Sequence, residues 1–333
     1  MIKFKLNLTV CFKKLPIGYN ISHAIELLNS NKLVAIPTET VYGLAANAFN
    51  ENAVLNIYKT KNRPQFNPLI IHSNGIERFE EWGLTIPTEV KLLAQHFWPG
   101  PITFIIPANN KIPEIVTAGT GAVAIRVPNH AITLELLSKL NFPLAAPSAN
   151  PSGFISPTTA LHVEQQLGNK IDYILDGGNC KVGLESTIIS FLEDEPKILR
   201  FGGLAIEAIE AVLNKKLATN SSNDKIVAPG MLTKHYAPIH LLNIVENLSE
   251  SIQLLDKNRI GVISFFESFS ELPTAHQFVL SKNKNLEEAA SNLFAAMRNI
   301  DELDIDIILA EKFPNFGLGY AINDRLKRAS VQD

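Results

Sequence analysis

A chain of 333 residues has room for two domains. Its 46% hydrophobic and 19% charged residues exclude a disordered protein, and its net charge of −3 excludes a polycation that coats nucleic acid by bulk charge, though not a local basic cleft. With two cysteines, Cys11 and Cys180, and no CxxC pair, a disulfide scaffold, a zinc ribbon and an iron–sulfur cluster are excluded as organising principles, which predicts a reducing, cytoplasmic setting.

In the N-terminal stretch MIKFKLNLTVCFKK, Lys3, Lys5, Lys13 and Lys14 interrupt the apolar residues. A signal peptide is not expected there, and the alternation reads as a half-buried strand. No 18 apolar residues run together, so no membrane partner is predicted. Residues 21–31 have helical spacing, with Ser22 as N-cap and Glu26 about a turn further on. Strands are predicted at 33–37, 69–72, 102–108 and 122–128, and helices at 51–60, 131–140 and 158–167. FPLAAPSAN (142–150) reads as a strand running into a polar loop, with further strands near 171–175 and at 186–191. This mixture predicts an α/β sheet domain over residues 1–213.

Residues 214–229 are rich in Asn, Ser, Lys and Asp and read as the start of a linker extending to 238. Strands at 241–245, 259–266 and 305–313 then alternate with helices at 286–300 and 321–330, predicting a smaller three-layer α/β domain over 239–333.

No GxxxxGK[ST] or GxGxxG motif, HExxH or paired-cysteine metal set occurs, so no protein-built metal site is predicted. DGGNCKVG (176–183) could cradle an anion with its amides, although a plain turn is the commoner use of such glycines. More telling are polar clusters at the ends of apolar strands, where ligands sit in α/β sheets. PTETVYGLAANA (37–48) offers Thr38 and Thr40; its bland reading is a strand-to-helix turn capped by threonine. KNRPQFNPLIIH (61–72) sets Lys61 and Arg63 one residue apart, a pair that a surface loop tolerates and that a polyphosphate would neutralise. LAAPSANPSGFISPTTA (144–160) gathers hydroxyls and amides before a helix, suited to phosphate or ribose oxygens or simply to their own backbone. GLESTIIS (183–190), ILRFGG (198–203) and APGMLTKHYAP (228–238) complete the set.

Taken together, PTETVYGL, KNRPQFNPLIIH, WPGPITFII, VAIRVPNH, APSANPSGFISPT and GLESTII, in this order, resemble the Sua5/YrdC family of threonylcarbamoyl-adenylate synthases. PGMLTKHYAP, RIGVISF and the C-terminal AASNLFAAMRNIDELDIDIILAE…GLGYAINDRLKRAS resemble the longer, two-domain Sua5 type. The resemblance implies a twisted open-sheet YrdC-like catalytic domain with a basic cleft, a Rossmann-like second domain, and a linker lying over the cleft. It implies synthesis of threonylcarbamoyl-AMP and pyrophosphate from L-threonine, bicarbonate or CO2 and ATP, for threonylcarbamoyladenosine modification at position 37 of ANN-decoding tRNAs. Carried over residue by residue, it places a catalytic tetrad at Lys61, Arg63, Ser148 and Asn150. Threonine falls to Thr40, His72, Arg126, the backbone at Ala146, and Ser186. ATP falls to Arg63, Asn67, Ser148, Ser156 and Arg200, with Tyr236 closing over it. Mg2+ would be bound through the ATP phosphates. Downstream partners would be tRNA or tRNA-modification proteins; no DNA is implicated.

Three departures stand out. Ala122 occupies a usual threonine position. Phe201 replaces a proline between Arg200 and Gly202, which should loosen that turn. Leu232 and Thr233 stand where lysine and tyrosine are frequent. Two other readings compete: a double-stranded-RNA-binding module using the same cleft, and a carbamoyl-transfer accessory domain of the hydrogenase-maturation type, which the lack of zinc-finger cysteines disfavours.

Overall fold

A computed structural model describes residues 16–219 and 235–331. The N-terminal strand reading, Cys11, and the departures at Leu232 and Thr233 lie outside them.

The first part builds an 11-stranded mixed sheet. Its strand order is Ile17–Gly18, Tyr173–Leu175, Val34–Ile36, Gly43–Asn47, Leu144–Ala145, Ile70–His72, Ala122–Arg126, Ile102–Pro107, Thr187–Ser190, Lys197–Arg200 and Ala218–Thr219. Ala218–Thr219, inside the segment read as linker, pairs in parallel with Lys197–Arg200 at the sheet edge.

The strand side chains sort by the period of two. Ile71, Val123, Ile125, Phe104 and Ile189 pack into the main core. Ile70, Ala124, Ile105 and Ile188 form a separate cluster on the other face. His72, Arg126 and Ser186 share the parity of Ile70, Ala124 and Ile188, so the same alternation turns them to that second face. Ile70–His72 runs parallel to Ala122–Arg126 with His72 opposite Arg126, which brings both to the carboxyl ends of their strands.

The second sheet is wholly parallel, in the order Leu241–Val245, Ile307–Glu311, Ile260–Ser264, Gln277–Val279. Ile308 and Ala310 face helices Leu286–Asp301 and Gly319–Ala329, while Leu309 faces helix Leu248–Gln253. Three layers result, as the alternation of strands and helices predicts. Among the described residues, no helix is long and apolar enough to cross a membrane.

Several local expectations change. The N-cap of Ile21–Asn29 is Asn20, whose side chain accepts from His23 N at 3.0 Å; Ser22 lies within the helix. Residues 37–48 are not a strand-to-helix turn. They form a hairpin in which Gly43–Asn47 returns antiparallel to Val34–Ile36. Thr38 Oγ1 closes that turn, accepting from Val41 N at 3.2 Å and donating to Val41 O at 2.7 Å. The hydroxyls of 148–156 cap no helix either, because Ala160–Leu167 is capped by Thr159. DGGNCKVG is held as a turn, with Tyr42 donating to Gly178 O at 2.8 Å and Asp176 accepting from Gly178 N at 2.9 Å.

Candidate active site

Helix Glu51–Lys61 starts at Asn50, whose side chain accepts from Ala53 N, and ends at Asn62 with φ of 50°. Asparagine tolerates this left-handed conformation, and Arg63 N bonds back to Tyr58 O. The helix end therefore delivers Lys61 and Arg63 to the cleft. Lys61 is buried, and its Nζ donates to Ser148 O at 2.6 Å and to Asn150 O. Burial, and then Arg63, push its pKa well below the usual lysine value. Arg63 donates to Asn67 O at 3.2 Å and Pro68 O at 2.9 Å.

Arg126 Nη2 lies 2.9 Å from Thr40 Oγ1 and 2.8 Å from Glu39 Oε1. His72 Nδ1 sits 3.3 Å from Leu144 O, and burial, reinforced by Arg126, lowers its pKa to about 3. Ser186 Oγ is 2.6 Å from Thr103 Oγ1. Arg200 needs a further device, since strict alternation would turn it with Ile198 toward the main core. A register shift between Ile198 and Arg200 re-aims it. It then donates to Ser186 O through Nε at 3.1 Å and Nη2 at 2.9 Å. Burial brings both Arg63 and Arg200 down to about 10, so both stay cationic at neutral pH.

The turn after Arg200 is tight. A Cβ on Gly202 would stand 2.3 Å from Ser186 C, and Phe201 stacks on Tyr320 of the last helix at 5.2 Å. Phe201 thus brings to this turn a contact with the second domain.

These side chains enclose a cavity of about 50 Å3 lined by Arg63, His72, Arg126, Ala146, Ser148, Ser186, Arg200 and Tyr236, together with Val41, Ile70, Pro147, Glu185 and His235. Thr40, Lys61, Asn67, Asn150 and Ser156 are not in its lining. They stand behind it, Thr40 on Arg126, Lys61 on the 148–150 turn, Asn67 under Arg63, and Ser156 on Glu185 at 2.6 Å. Asn150 Nδ2 ties Pro151 O and Phe154 O.

Glu39, Glu185 and His235 were not among the predicted site residues. All three sit inside motifs already singled out, and an ionisable side chain next to a predicted site residue was the available signal. Burial alone would raise the Glu185 carboxyl, but Arg325, Arg200 and the Ser156 hydroxyl hold it at about 2. His235 is lowered to about 3, chiefly by burial. Tyr236 has φ of +62°, a left-handed conformation that costs about 1–2 kcal/mol for a residue with a Cβ.

The family model described as "Telomere recombination", that of the Sua5, YciO and YrdC proteins, matches residues 26–202. A second, described as "Threonylcarbamoyl-AMP synthase, C-terminal domain", matches residues 204–331. A Pyrococcus abyssi protein named threonylcarbamoyl-AMP synthase is 41% identical over 94% of this chain and 94% of its own length. The chain belongs to the threonylcarbamoyl-AMP synthase family. A Bacillus subtilis member of the family is 42% identical over 93% of this chain and 92% of its own length. The crystal structure of P. abyssi Sua5 complexed with L-threonine superposes with a TM-score of 0.86 at 41% identity, covering 93% of this chain and 94% of that one. Escherichia coli YciO, at 21% identity and a TM-score of 0.50, shares the fold of the first part over 56% of the chain. The P. abyssi and B. subtilis relatives match this chain across both its large-sheet and its small-sheet parts.

Proposed function

We infer that this chain is an L-threonylcarbamoyladenylate synthase, forming threonylcarbamoyl-AMP and pyrophosphate from L-threonine, bicarbonate or CO2 and ATP. The observation that carries the reading is the convergence of three guanidinium groups, Arg63, Arg126 and Arg200, on one cavity together with His72, Ser148 and Ser186.

The chemistry needs charge and position more than a protein nucleophile. Threonine's amine adds to CO2 and loses a proton, giving a carbamate. A carbamate oxygen then bonds to the α-phosphorus, the bond from that phosphorus to the bridging oxygen breaks, and pyrophosphate leaves with the electron pair. Arg126 is assigned the threonine carboxylate. Thr40 and Glu39 already share its Nη2, so the guanidinium is held at a fixed angle. His72, being neutral, adds no charge beside the amine. Ser186 and the Ala146 backbone complete the threonine side. Arg63 and Arg200 oppose the phosphates, with charge that burial leaves poorly solvated and that a polyanion relieves. Lys61 acts through the turn that presents Ser148.

Among the described residues, no group of three or more His, Cys, Asp and Glu side chains could hold a metal ion. Glu39 and Glu185 are taken by Arg126 and Arg325. This donor set fits Mg2+ carried by the ATP phosphates.

A pocket for a drug-sized ligand occupies roughly 300–1,000 Å3. The cavity of about 50 Å3 therefore does not admit ATP and threonine together while His235 and Tyr236 line it. These two residues must withdraw for substrates to enter, and Tyr236 then closes over the nucleotide. The product's mixed anhydride fits it as a carbamoyl donor to the tRNA adenosine.

The test is pyrophosphate release from ATP with bicarbonate and each of several amino acids. Threonine-dependent release that Arg126→Ala removes is the expected result. Release independent of threonine, or unaltered in Arg126→Ala, would overturn the reading.

A further inference from the structure

The second domain reaches the cavity through one buried charge. Arg325, in helix Gly319–Ala329, is fully buried. Its Nε donates to Glu185 Oε2 at 3.0 Å and its Nη1 to Asp324 Oδ2 at 2.7 Å. Its guanidinium also lies 5.1 Å from the centre of the Tyr236 ring. Phe294, also from the second domain, stacks on the same ring at 5.3 Å.

Glu185 links this charge to the wall. Its other carboxylate oxygen takes the Ser156 hydroxyl at 2.6 Å. Its chain neighbour Ser186 carries the carbonyl to which Arg200 donates twice. Gly203 N, just beyond Arg200, bonds to Glu185 O at 2.8 Å. With its proton committed to Glu185, Ser156 fixes that carboxylate from behind the cavity wall.

A buried ion pair adds little net stability over a well-packed apolar pair, but it fixes geometry that an apolar pair does not. The left-handed Tyr236 backbone also needs support from outside its own segment. Arg325 meets both needs. We propose that Arg325 is a positioning residue for the nucleotide half of the reaction. It holds Glu185, with Ser156 and Arg200 mounted around it, and so fixes the angle at which Arg200 meets ATP, while Tyr236 rests on the same guanidinium in the closed, substrate-free position. The proposal rests on assigning Arg200 to ATP, as above. The threonine side keeps support within its own domain, where Ser186 Oγ lies 2.6 Å from Thr103 Oγ1 and accepts from Arg200 Nη2 at 3.2 Å.

Two variants test it. Arg325→Lys keeps the charge and loses the planar fork. The double substitution Glu185→Gln with Arg325→Met removes both charges of that pair together and leaves Asp324 its bond to Arg328. Each is read by melting temperature, by KM for ATP and for threonine, and by hydrogen exchange at the Ala237 amide, which bonds to Gly153 O at 3.0 Å. The expected result is a KM for ATP raised at least tenfold, a KM for threonine within threefold of the parent, and faster exchange at Ala237 while core-strand amides keep their protection. A KM for ATP within twofold of the parent in either folded variant would overturn the proposal. So would a parallel rise of both KM values with a falling melting temperature, which marks a structural role alone. If the double variant does not fold, Arg325→Lys decides by the same measures. Absence of threonine-dependent pyrophosphate release in the parent chain would instead sink the functional reading, while Ala237 exchange would still report whether Arg325 seats Tyr236.

Discussion

Arg63 and Arg200 in the large sheet's cavity and Arg325 in the second domain are all buried, yet their surroundings act on them in opposite directions. Arg63 and Arg200 donate to carbonyl oxygens, and burial pulls each down to about 10. Arg325 sits between Glu185 and Asp324, and although burial opposes it, Tyr236 and those carboxylates raise its pKa above the usual arginine value. In the wall, carbonyl oxygens orient the Arg63 guanidinium toward the cavity, where an anion can join them. In the scaffold, two carboxylates take Nε and Nη1 of Arg325, which fixes the angle of its guanidinium.

Substitutions can break this contrast from either side. The largest expected effect is on the scaffold. Leu293 is buried in the second core, and Leu293→Ala should cost about 2–5 kcal/mol in urea unfolding. The KM for threonine in the surviving folded protein should stay unchanged. Next comes the wall, where Arg126→Ala removes charge-assisted bonds worth about 3 kcal/mol. Threonine-dependent turnover should fall roughly 100-fold in steady-state kinetics, and the melting temperature should fall with it, because Glu39 is left buried without its partner.

A smaller effect concerns pH. His72 and His235 titrate at about 3 when folded, against 6.5 for an ordinary imidazole. Between those values the unfolded chain holds the extra proton, so stability falls as pH drops through the window. From pH 6.5 to 5 each should account for about 2 kcal/mol, and His72→Gln should flatten the fall in unfolding free energy by that amount. A slope identical to the parent's would show that His72 is not buried in its neutral form. The smallest effect belongs to the exposed Lys139–Glu135 pair, whose removal by Lys139→Ala should cost under about 0.5 kcal/mol.

Much of the site was legible in the motifs, because strand ends followed by polar loops announce where an α/β sheet binds ligands. The hairpin strand Gly43–Asn47 was not. GLAAN lacks β-branched and aromatic residues and lies largely buried, so it shows neither propensity nor alternation. Nor was the division of labour legible. Lys61 and Arg63 look alike in sequence, but one helix turn ends between them, and the lysine holds a turn while the arginine lines the cavity.

By itself, the sequence determined the two α/β parts, the chemical types gathered for a carboxylate and a polyphosphate, and the family to which the chain belongs. Periodicity and motif order are properties of the chain, and they survive without coordinates. Only the tertiary structure decided which polar groups face the cavity and which stand behind it. It also decided that Arg200 reaches the wall through a register shift, and that Glu185 answers to Arg325 across 140 residues of chain. Those outcomes depend on distances between segments far apart in sequence, and the angle of a buried charge is set by whatever packs against it.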